Sequence, residues 1–137
     1  MDNTKLAFVD ACVLLDIFND DEHWAQWSSA ALFQASKDYT LAINNIISTE
    51  IAFNFDSSSA LLNTLEQLNI IVLDIPIDAA FNTSRAFIQY KKRGGDKKTP
   101  MPDFYIGAHA YHMKAYLITR DTARFKSYFP KLRLITP

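Results

Sequence analysis

The sequence predicts a three-layer α/β/α domain with a central, mostly parallel sheet of about five strands. Short apolar runs alternate with longer helical stretches along the whole chain, as expected where helices cover both faces of a parallel sheet. The chain has 137 residues, of which 49% are hydrophobic and 13% aromatic. This length and composition suit one domain spanning residues 1–137. No repeat, low-complexity tract or linker divides it.

The strands are identified by short, continuous apolar runs, which a parallel sheet buried on both faces requires. These runs are LAFV, TLAI, IIVLDI, AYLIT and LRLIT, at residues 6–9, 40–43, 70–75, 115–119 and 132–136. The helices are identified by apolar residues at helical spacing. They cover about residues 10–18, 22–37, 47–55, 60–68, 76–92, 102–114 and 123–128.

Several helix boundaries carry recognisable signals. Ser48 or Thr49 is predicted to start the third helix, and the break at residues 56–59 to cap the fourth, because side-chain oxygens accept the free N–H groups there. Pro76 stands at the start of the fifth helix, where its missing N–H is no loss, and Gly94-Gly95 lies past the end of that helix.

Composition excludes several kinds of site and location. Cys12 is the only cysteine, which excludes an internal disulfide and a Cys-rich zinc site, and its apolar surroundings predict burial. His109 and His112 have no third nitrogen or sulfur ligand beside them for zinc. No apolar stretch approaches the roughly 18 residues of a spanning helix, and no signal-peptide pattern is present. We therefore expect a soluble, cytoplasmic protein with no membrane partner.

Charge is distributed unevenly along the chain. Residues 1–70 carry two basic and ten acidic groups, a net charge of −8, whereas residues 71–137 carry twelve basic and five acidic groups, a net charge of +7. Such a distribution can steer a polyanion, although the two halves can equally neutralise each other in the fold.

The segment YKKRGGDKK is the most basic part of the chain. Its two glycines are expected to give the loop freedom to follow a phosphate backbone, so that it binds RNA. The alternative is a solvated basic loop. The candidate RNA-binding residues are Lys91, Lys92, Arg93, Lys97 and Lys98.

Four acids stand where ligand sites form in open parallel sheets, near the carboxyl ends of strands. Asp10 follows the first strand and Asp121 the fourth, while Glu50 and Asp103 lie near the starts of two helices. Acids also cap helices and turns, so three of these have an ordinary alternative. Asp10 is different, since a carboxylate closing a buried strand is costly unless it is paired or bound to metal. Four converging carboxylates without His or Cys suit Mg²⁺ or Mn²⁺.

Neighbouring residues refine this prediction. Gly107 and Ala110 share a helical face with Asp103 and are small, so we expect room there for water, metal or substrate. Asp16 and Asp74 are expected to be structural.

The motifs FVDACVLLDIF, STEIAF, PDFYIGAHA and LITRDTARF resemble, in that order, the PIN domain of metal-dependent ribonucleases. The resemblance is strongest to the toxin of VapBC-type toxin–antitoxin pairs, and it covers about residues 6–135. It implies that Thr119 is the hydroxyl near the metal and that Arg124-Phe125 ends the last motif. It also implies an acidic quartet of Asp10, Glu50, Asp103 and Asp121.

The chain departs from the family pattern directly after its first acid. Ala11 and Cys12 stand where the family has a hydroxyl residue followed by Asn or Ser. The loss of a polar group beside Asp10 predicts weaker metal binding or a slower reaction.

The resemblance implies hydrolysis of RNA phosphodiester bonds with Mg²⁺ or Mn²⁺. Asp10, Asp103 and Asp121 would bind the metal, and Glu50 would act through water or as a general base. The implied partners are an RNA substrate, a cognate antitoxin and a second copy of the chain. An antitoxin segment would dock near the helix that carries Trp24, Trp27 and Phe33, although ordinary core packing also explains these aromatic residues.

Two other interpretations remain open. A phosphoacceptor signalling domain also places acids at strand ends, but it needs a second acid beside the first strand and a lysine after the fifth, which this sequence lacks. A catalytically weak or inactive PIN-like domain that binds RNA or protein would tolerate Ala11 and Cys12.

Overall fold

A sheet of five parallel strands forms the centre of the protein, in the order β3-β2-β1-β4-β5. The structure is a computed structural model and describes residues 5–95 and 101–137. The strands are β1 Leu6–Val9, β2 Thr40–Asn44, β3 Ile70–Leu73, β4 Tyr116–Ile118 and β5 Leu134–Ile135. All five predicted strands are confirmed, as is their parallel arrangement.

Seven α-helices and a 3₁₀ turn lie in the described part of the chain. They are α1 Ala11–Phe18, α2 Ala25–Asp38, α3 Asn45–Ile51, α4 Ser58–Gln67, α5 Ile77–Lys92, α6 Met101–His112 and α7 Thr122–Tyr128, with the turn at Ala52–Asn54. The chain passes from β1 to β2 and β3, then returns across the sheet to β4 and β5. Because crossovers between parallel strands are right-handed, this reversal puts α1–α4 and α5–α7 on opposite faces. The predicted three-layer fold class is confirmed.

The core is built around β1, the middle strand. Ala7, Phe8 and Val9 are fully buried, as a strand covered on both faces must be. Ile71 and Val72 on the edge strand β3 are instead exposed. None of the helices within the described ranges is long and apolar enough to cross a membrane.

The start of α3 differs from the prediction. Asn44 caps this helix, since its Oδ1 accepts the N–H of Ile47 at 3.0 Å. Ser48 and Thr49 lie inside the helix, and their hydroxyls donate to the carbonyls of Asn44 and Asn45. The prediction of Ser48 or Thr49 as the start is wrong, because the amide at the end of β2 already supplies the capping acceptor.

The predicted boundaries of α4 and α5 are confirmed. Ser57 Oγ accepts the N–H of Ala60 at 3.1 Å, and Pro76 immediately precedes α5. At the other end of α5, the N–H of Gly94 donates to the carbonyl of Lys91, and the N–H of Gly95 donates to that of Tyr90. Gly94 has a φ of 86°, so the two glycines form a Schellman motif. These hydrogen bonds end the helix at the point where the basic loop begins.

Candidate active site

The predicted acids meet where the strand order reverses, between β1 and β4. Ligand crevices in parallel α/β sheets form at such a point, beyond the carboxyl ends of the strands. The N–H of Asp10 donates to the carbonyl of Ile118 at 2.9 Å, so the end of β1 is bonded to the end of β4. Asp10 and Thr119 consequently lie side by side.

Asp10 is buried, and both of its carboxylate oxygens accept hydrogen bonds. Its Oδ2 accepts the Thr119 hydroxyl at 2.8 Å, and its Oδ1 accepts the N–H of Ala11 at 2.9 Å, which caps α1. Burial raises the pKa of Asp10, while the hydrogen bonds from Thr119 and Cys12 oppose that rise. The side chain is held in place without a neighbouring basic side chain in direct contact among the described residues.

Cys12 supplies a polar neighbour that the sequence had not suggested. Its Sγ donates to Asp10 Oδ2 at 3.4 Å and lies 3.8 Å from Thr119 Oγ1. Burial and the charge of Asp10 raise the pKa of this thiol to about 12, so it stays protonated and donates. The prediction that no polar group stands beside Asp10 is therefore wrong at Cys12, although Ala11 offers only its backbone N–H. The predicted burial of Cys12 is also not met, because the residue is half-buried.

A guanidinium neutralises the other side of the site. Arg124 Nη1 donates to Asp103 Oδ2 at 2.8 Å, and Arg124 Nε forms an ion pair with Asp121 Oδ2, 3.1 Å away. Asp103 is buried in the first turn of α6. Burial raises its pKa, and the charge of Arg124 opposes the rise. Asp121 precedes α7 but makes no capping hydrogen bond with its side chain, because that side chain pairs with Arg124.

Glu50, on α3, completes the acidic group. Burial, followed by the charges of Asp10 and Asp103, raises its pKa to about 7. Its Oε1 is buried and makes no hydrogen bond within the described part of the chain. The carboxylates of Asp10 and Asp103 also act on each other, as do those of Asp103 and Asp121. The structure thus brings the four predicted acids, from four separate segments, to one end of the sheet.

The donor set of this group suits a hard divalent cation. Mg²⁺ and Mn²⁺ take carboxylate oxygens as ligands, and such an ion would both reduce the repulsion and satisfy the buried Oε1 of Glu50. Among residues 5–95 and 101–137, no group of three or more His, Cys, Asp or Glu side chains is arranged to hold an ion. Two of the carboxylates instead contact Arg124. The residues fit a metal by their chemistry, but their side chains must turn toward a shared ion.

The space expected beside Asp103 is filled. A methyl group on Gly107 would overlap the ring of Phe129, so this glycine admits an aromatic side chain that follows α7. Ala110 is fully buried in the hydrophobic core. The prediction that these small residues make room for metal or substrate is wrong, because a residue distant in sequence packs there.

A second ion pair holds the segment between Thr119 and Asp121, and sequence reasoning missed it. Arg120 Nε and Nη2 donate to the two oxygens of Asp16 at 2.9 and 3.0 Å, and the Ser28 hydroxyl donates to Asp16 at 2.7 Å. Asp16 is therefore structural, as expected, whereas Asp74 is exposed at the end of β3. An acid within the apolar helix α1 was the available signal, because a buried carboxylate requires a partner.

A buried amide–imidazole contact joins the elements that carry Glu50 and Asp103. Asn44 Nδ2 lies 3.1 Å from His109 Nδ1, and both residues are fully buried. Burial lowers the pKa of His109 to about 4, so the ring is neutral and its Nδ1 accepts the amide N–H. His109 is thus a link between β2 and α6. The signal in the sequence was a polar residue at the end of a buried strand.

The described part of the basic segment is exposed, and its cations differ in their contacts. Lys91 Nζ lies 4.7 Å from the centre of the Phe87 ring, and Arg93 Nη2 donates to the carbonyl of Ser127 at 3.0 Å. Lys92 is exposed. Arg93 is thereby tied to the end of α7, whereas the Lys91 ammonium lies over an aromatic ring of its own helix.

The end of α5, where the basic segment begins, packs against the first turn of α6, which carries Asp103. Tyr90, near the end of α5, has its ring 5.5 Å from that of Phe104, which follows Asp103 on α6. The other two predicted RNA-binding residues, Lys97 and Lys98, lie outside the described residues.

Comparisons with known proteins agree with this architecture. A PIN domain family model matches residues 7–128. The structure of VapBC2 from Rickettsia felis, bound to a DNA fragment from its promoter, has a TM-score of 0.75 and 19% identity, covering 96% of this chain and 98% of that chain. VapBC-1 from nontypeable Haemophilus influenzae has a TM-score of 0.73 and 16% identity, covering 96% and 97%. A toxin–antitoxin complex from Klebsiella pneumoniae has a TM-score of 0.67 and 23% identity, also covering 96% and 97%.

These structural likenesses show a shared fold. A comparison with curated protein sequences found no match. The family model spans most of the chain and includes all four acids, which sets aside the phosphoacceptor interpretation. On this match and this fold, the chain belongs to the PIN domain family.

Proposed function

We propose that this protein is a Mg²⁺- or Mn²⁺-dependent endoribonuclease and the cytoplasmic toxin of a VapBC-type toxin–antitoxin pair. The observation that carries the proposal is the convergence of four carboxylates at the carboxyl end of the sheet. PIN domains are generally nucleases, and the solved structures of similar fold include toxin–antitoxin complexes. Both facts support the proposal.

Three of the acids would hold the metal: Asp10, Asp103 and Asp121. A divalent cation supplies, when bound, the charge that activates water and stabilises the phosphoryl oxygens of the substrate. Thr119 orients two of these acids at once, because its hydroxyl donates to Asp10 Oδ2 and accepts the N–H of Asp121 at 3.0 Å. It therefore keeps the ends of β1 and β4 in register.

Glu50 is suited to move a proton. Its pKa of about 7 allows the carboxyl to take up and release a proton near neutral pH, which is the property of an effective general base. Its buried Oε1 has no other hydrogen-bond partner in the described chain, so it is available to a water molecule. We assign Glu50 to accept the proton of the attacking water.

An RNA cleavage assay with Mg²⁺, Mn²⁺ or EDTA tests the proposal. Asp10→Asn and Asp103→Asn should each lower cleavage by on the order of 100-fold or more, since even outer-shell partners of a metal are worth 10–100-fold. Asp74→Asn, which removes an exposed acid outside the group, is the matched control and should retain activity. Circular dichroism should show that all three variants fold.

Two results would contradict the assignment: cleavage that survives both site substitutions, and cleavage that continues in EDTA. A wild-type chain that binds RNA without cutting it would favour the alternative of an inactive PIN-like binding domain. Ala11, in place of the family's hydroxyl residue, is the observation that supports that alternative.

We propose that the basic segment follows the RNA backbone. Its five cations are Lys91, Lys92, Arg93, Lys97 and Lys98. Replacing Lys91 and Lys92 by Glu should reduce the slope of log affinity against log salt by about two, because each phosphate contact contributes roughly 0.7–0.9. An unchanged slope in a filter-binding titration would argue for a solvated loop instead.

The antitoxin is proposed to dock against α1, α2 and α4. Trp27 packs on the core, which explains this residue, whereas Trp24 contacts the Trp27 ring, with a centre separation of 6.3 Å, and the Arg120 guanidinium. Phe33 is instead 65% exposed. It borders a groove of about 280 Å³ whose apolar lining supports the docking of an amphipathic segment. The groove is lined by Ile17, Leu32, Phe33, Leu41, Gln67 and Leu68, among others.

We also propose that the chain forms a homodimer. Ile77, Phe81 and Ile88 are exposed along α5, and an apolar stripe of this kind is typical of a contact surface. Light scattering of the purified chain should give the mass of two copies, and a monomer at micromolar concentration would contradict this part of the proposal.

A further inference from the structure

Arg124 is the one basic residue among the described residues whose side chain forms ion pairs with the acidic group. It contacts Asp103 and Asp121 through two different nitrogens, at 2.8 and 3.1 Å. Its charge also acts on Glu50. One guanidinium therefore offsets the charge of three of the four acids, which is the electrostatic task that a bound cation would perform.

The contacts of Arg124 are of a kind that can be exchanged. Its side chain is 45% exposed and that of Asp121 is 39% exposed, so solvent and ions reach both. The helix that carries Arg124 has only seven residues. The pair with Asp121, half-exposed on both sides, contributes little net stability, because water solvates the separated charges nearly as well. The contact with Asp103 is open to solvent from the Arg124 side only, since the Asp103 side chain is 10% exposed.

We propose that Arg124 is an internal counter-ion that a divalent cation must displace from Asp103 and Asp121. This inference rests on the metal binding that the proposed function includes, and not on RNA cleavage. A cation held by the same two carboxylates would lie within a few ångströms of the guanidinium, and like charges at that distance repel. Arg124 thus lowers the affinity of the site for metal and keeps the acids together when no metal is bound.

Titration with Mn²⁺ alone, followed by isothermal calorimetry or electron paramagnetic resonance, tests the proposal. Arg124→Gln should bind Mn²⁺ roughly two- to fivefold more tightly than wild type, as expected when a competing ion pair of this exposure is removed. Lys126→Gln is the matched control, because Lys126 is exposed on the same helix and its loss changes net charge equally. The control should bind Mn²⁺ as wild type does.

Thermal unfolding gives an independent measurement. In EDTA, Arg124→Gln should unfold at a lower temperature than wild type. Saturating Mn²⁺ should raise the unfolding midpoint of Arg124→Gln by more than it raises that of wild type. Arg124→Lys keeps the charge but cannot bridge two carboxylates with a planar fork, so its Mn²⁺ affinity should fall between those of wild type and Arg124→Gln.

The proposal is overturned if Arg124→Gln binds Mn²⁺ equally or less tightly, if Lys126→Gln shows the same gain, or if neither wild type nor Arg124→Gln binds Mn²⁺. Should Arg124→Gln not fold in EDTA, Arg124→Lys decides: affinity no higher than that of wild type overturns the proposal. Mn²⁺ affinity does not depend on RNA cleavage. A chain that cuts no RNA but shows the predicted gain retains this inference and loses the proposed function.

Discussion

Arg120 and Arg124 lie four residues apart, yet their ion pairs differ in burial and partners. Arg120 places its two donors on a single carboxylate, Asp16, which is 3% exposed and also accepts the Ser28 hydroxyl. Arg124 contacts two carboxylates and donates a hydrogen bond to one of them, Asp103; its side chain is 45% exposed, against 32% for Arg120. The buried, bidentate pair is a structural tie between β4 and α1, whereas the divided pair lies in the candidate site and can be exchanged.

The difference shows how one short segment serves two purposes. Thr119 and Asp121 face the acidic group, while Arg120 between them is held by α1 and α2. The ring of Trp24 lies 5.4 Å from the Arg120 guanidinium and covers it. Because Arg120 is held outside the site, the directions of Thr119 and Asp121 are fixed. The positions of these two residues in the site therefore depend on the ion pair between Arg120 and Asp16, which lies outside it.

Removing the buried tie should have the largest effect on stability. Asp16→Ala leaves the Arg120 charge and the Ser28 hydroxyl without their partner, and should lower the free energy of unfolding by about 3 kcal/mol. Arg124→Gln, which breaks the exposed pair, should lower it by less than about 1 kcal/mol. Urea unfolding in EDTA measures both. Equal losses in the two variants would show that burial does not distinguish the two arginines.

A smaller effect should appear in the pH dependence of stability. The folded-state pKa of Glu50 is raised to about 7 from an ordinary 4.5, so the folded chain holds a proton that the unfolded chain releases. The contribution of Glu50 to stability is thus fully present below about pH 4.5 and is lost as the pH rises through 7. Removing the Glu50 carboxylate should therefore raise the free energy of unfolding most at alkaline pH.

Glu50→Gln should therefore be more stable than wild type by roughly 1–2 kcal/mol at pH 8 in EDTA, and this gain should shrink toward pH 5. Chemical unfolding at several pH values measures the difference. A gain independent of pH would mean that the charge of Glu50 is not the cause. Asp121→Asn should show no comparable gain in stability, because the charge of Asp121 is already offset by Arg124.

Much of the fold and part of the candidate site could be predicted because both follow local rules. An apolar run of four or five residues can be buried on both faces only as a central strand, so LAFV and AYLIT were identifiable. Acids placed directly after such runs necessarily lie at the carboxyl edge of the sheet. Asp10 and Asp121 follow from this rule.

The contacts that shape the site could not be predicted in the same way. Arg120 meets Asp16 across 104 positions, and Asn44 meets His109 across 65. Gly107 offered space in the sequence, but Phe129 occupies it. Each of these depends on which face of the sheet a crossover covers, and periodicity along one segment contains no information about the segment packed against it.

The sequence by itself determined the alternation of strands and helices, the five-stranded parallel sheet and the four acids at its edge, because periodicity and position along a strand are properties of single segments. Only the tertiary structure decided which donor each acid meets: Thr119 and Cys12 for Asp10, Arg124 for Asp103 and Asp121, and no hydrogen-bond partner within the described chain for the buried oxygen of Glu50. The physical reason is that charge pairing and burial depend on three-dimensional distance, which the return of the chain from β3 to β4 establishes.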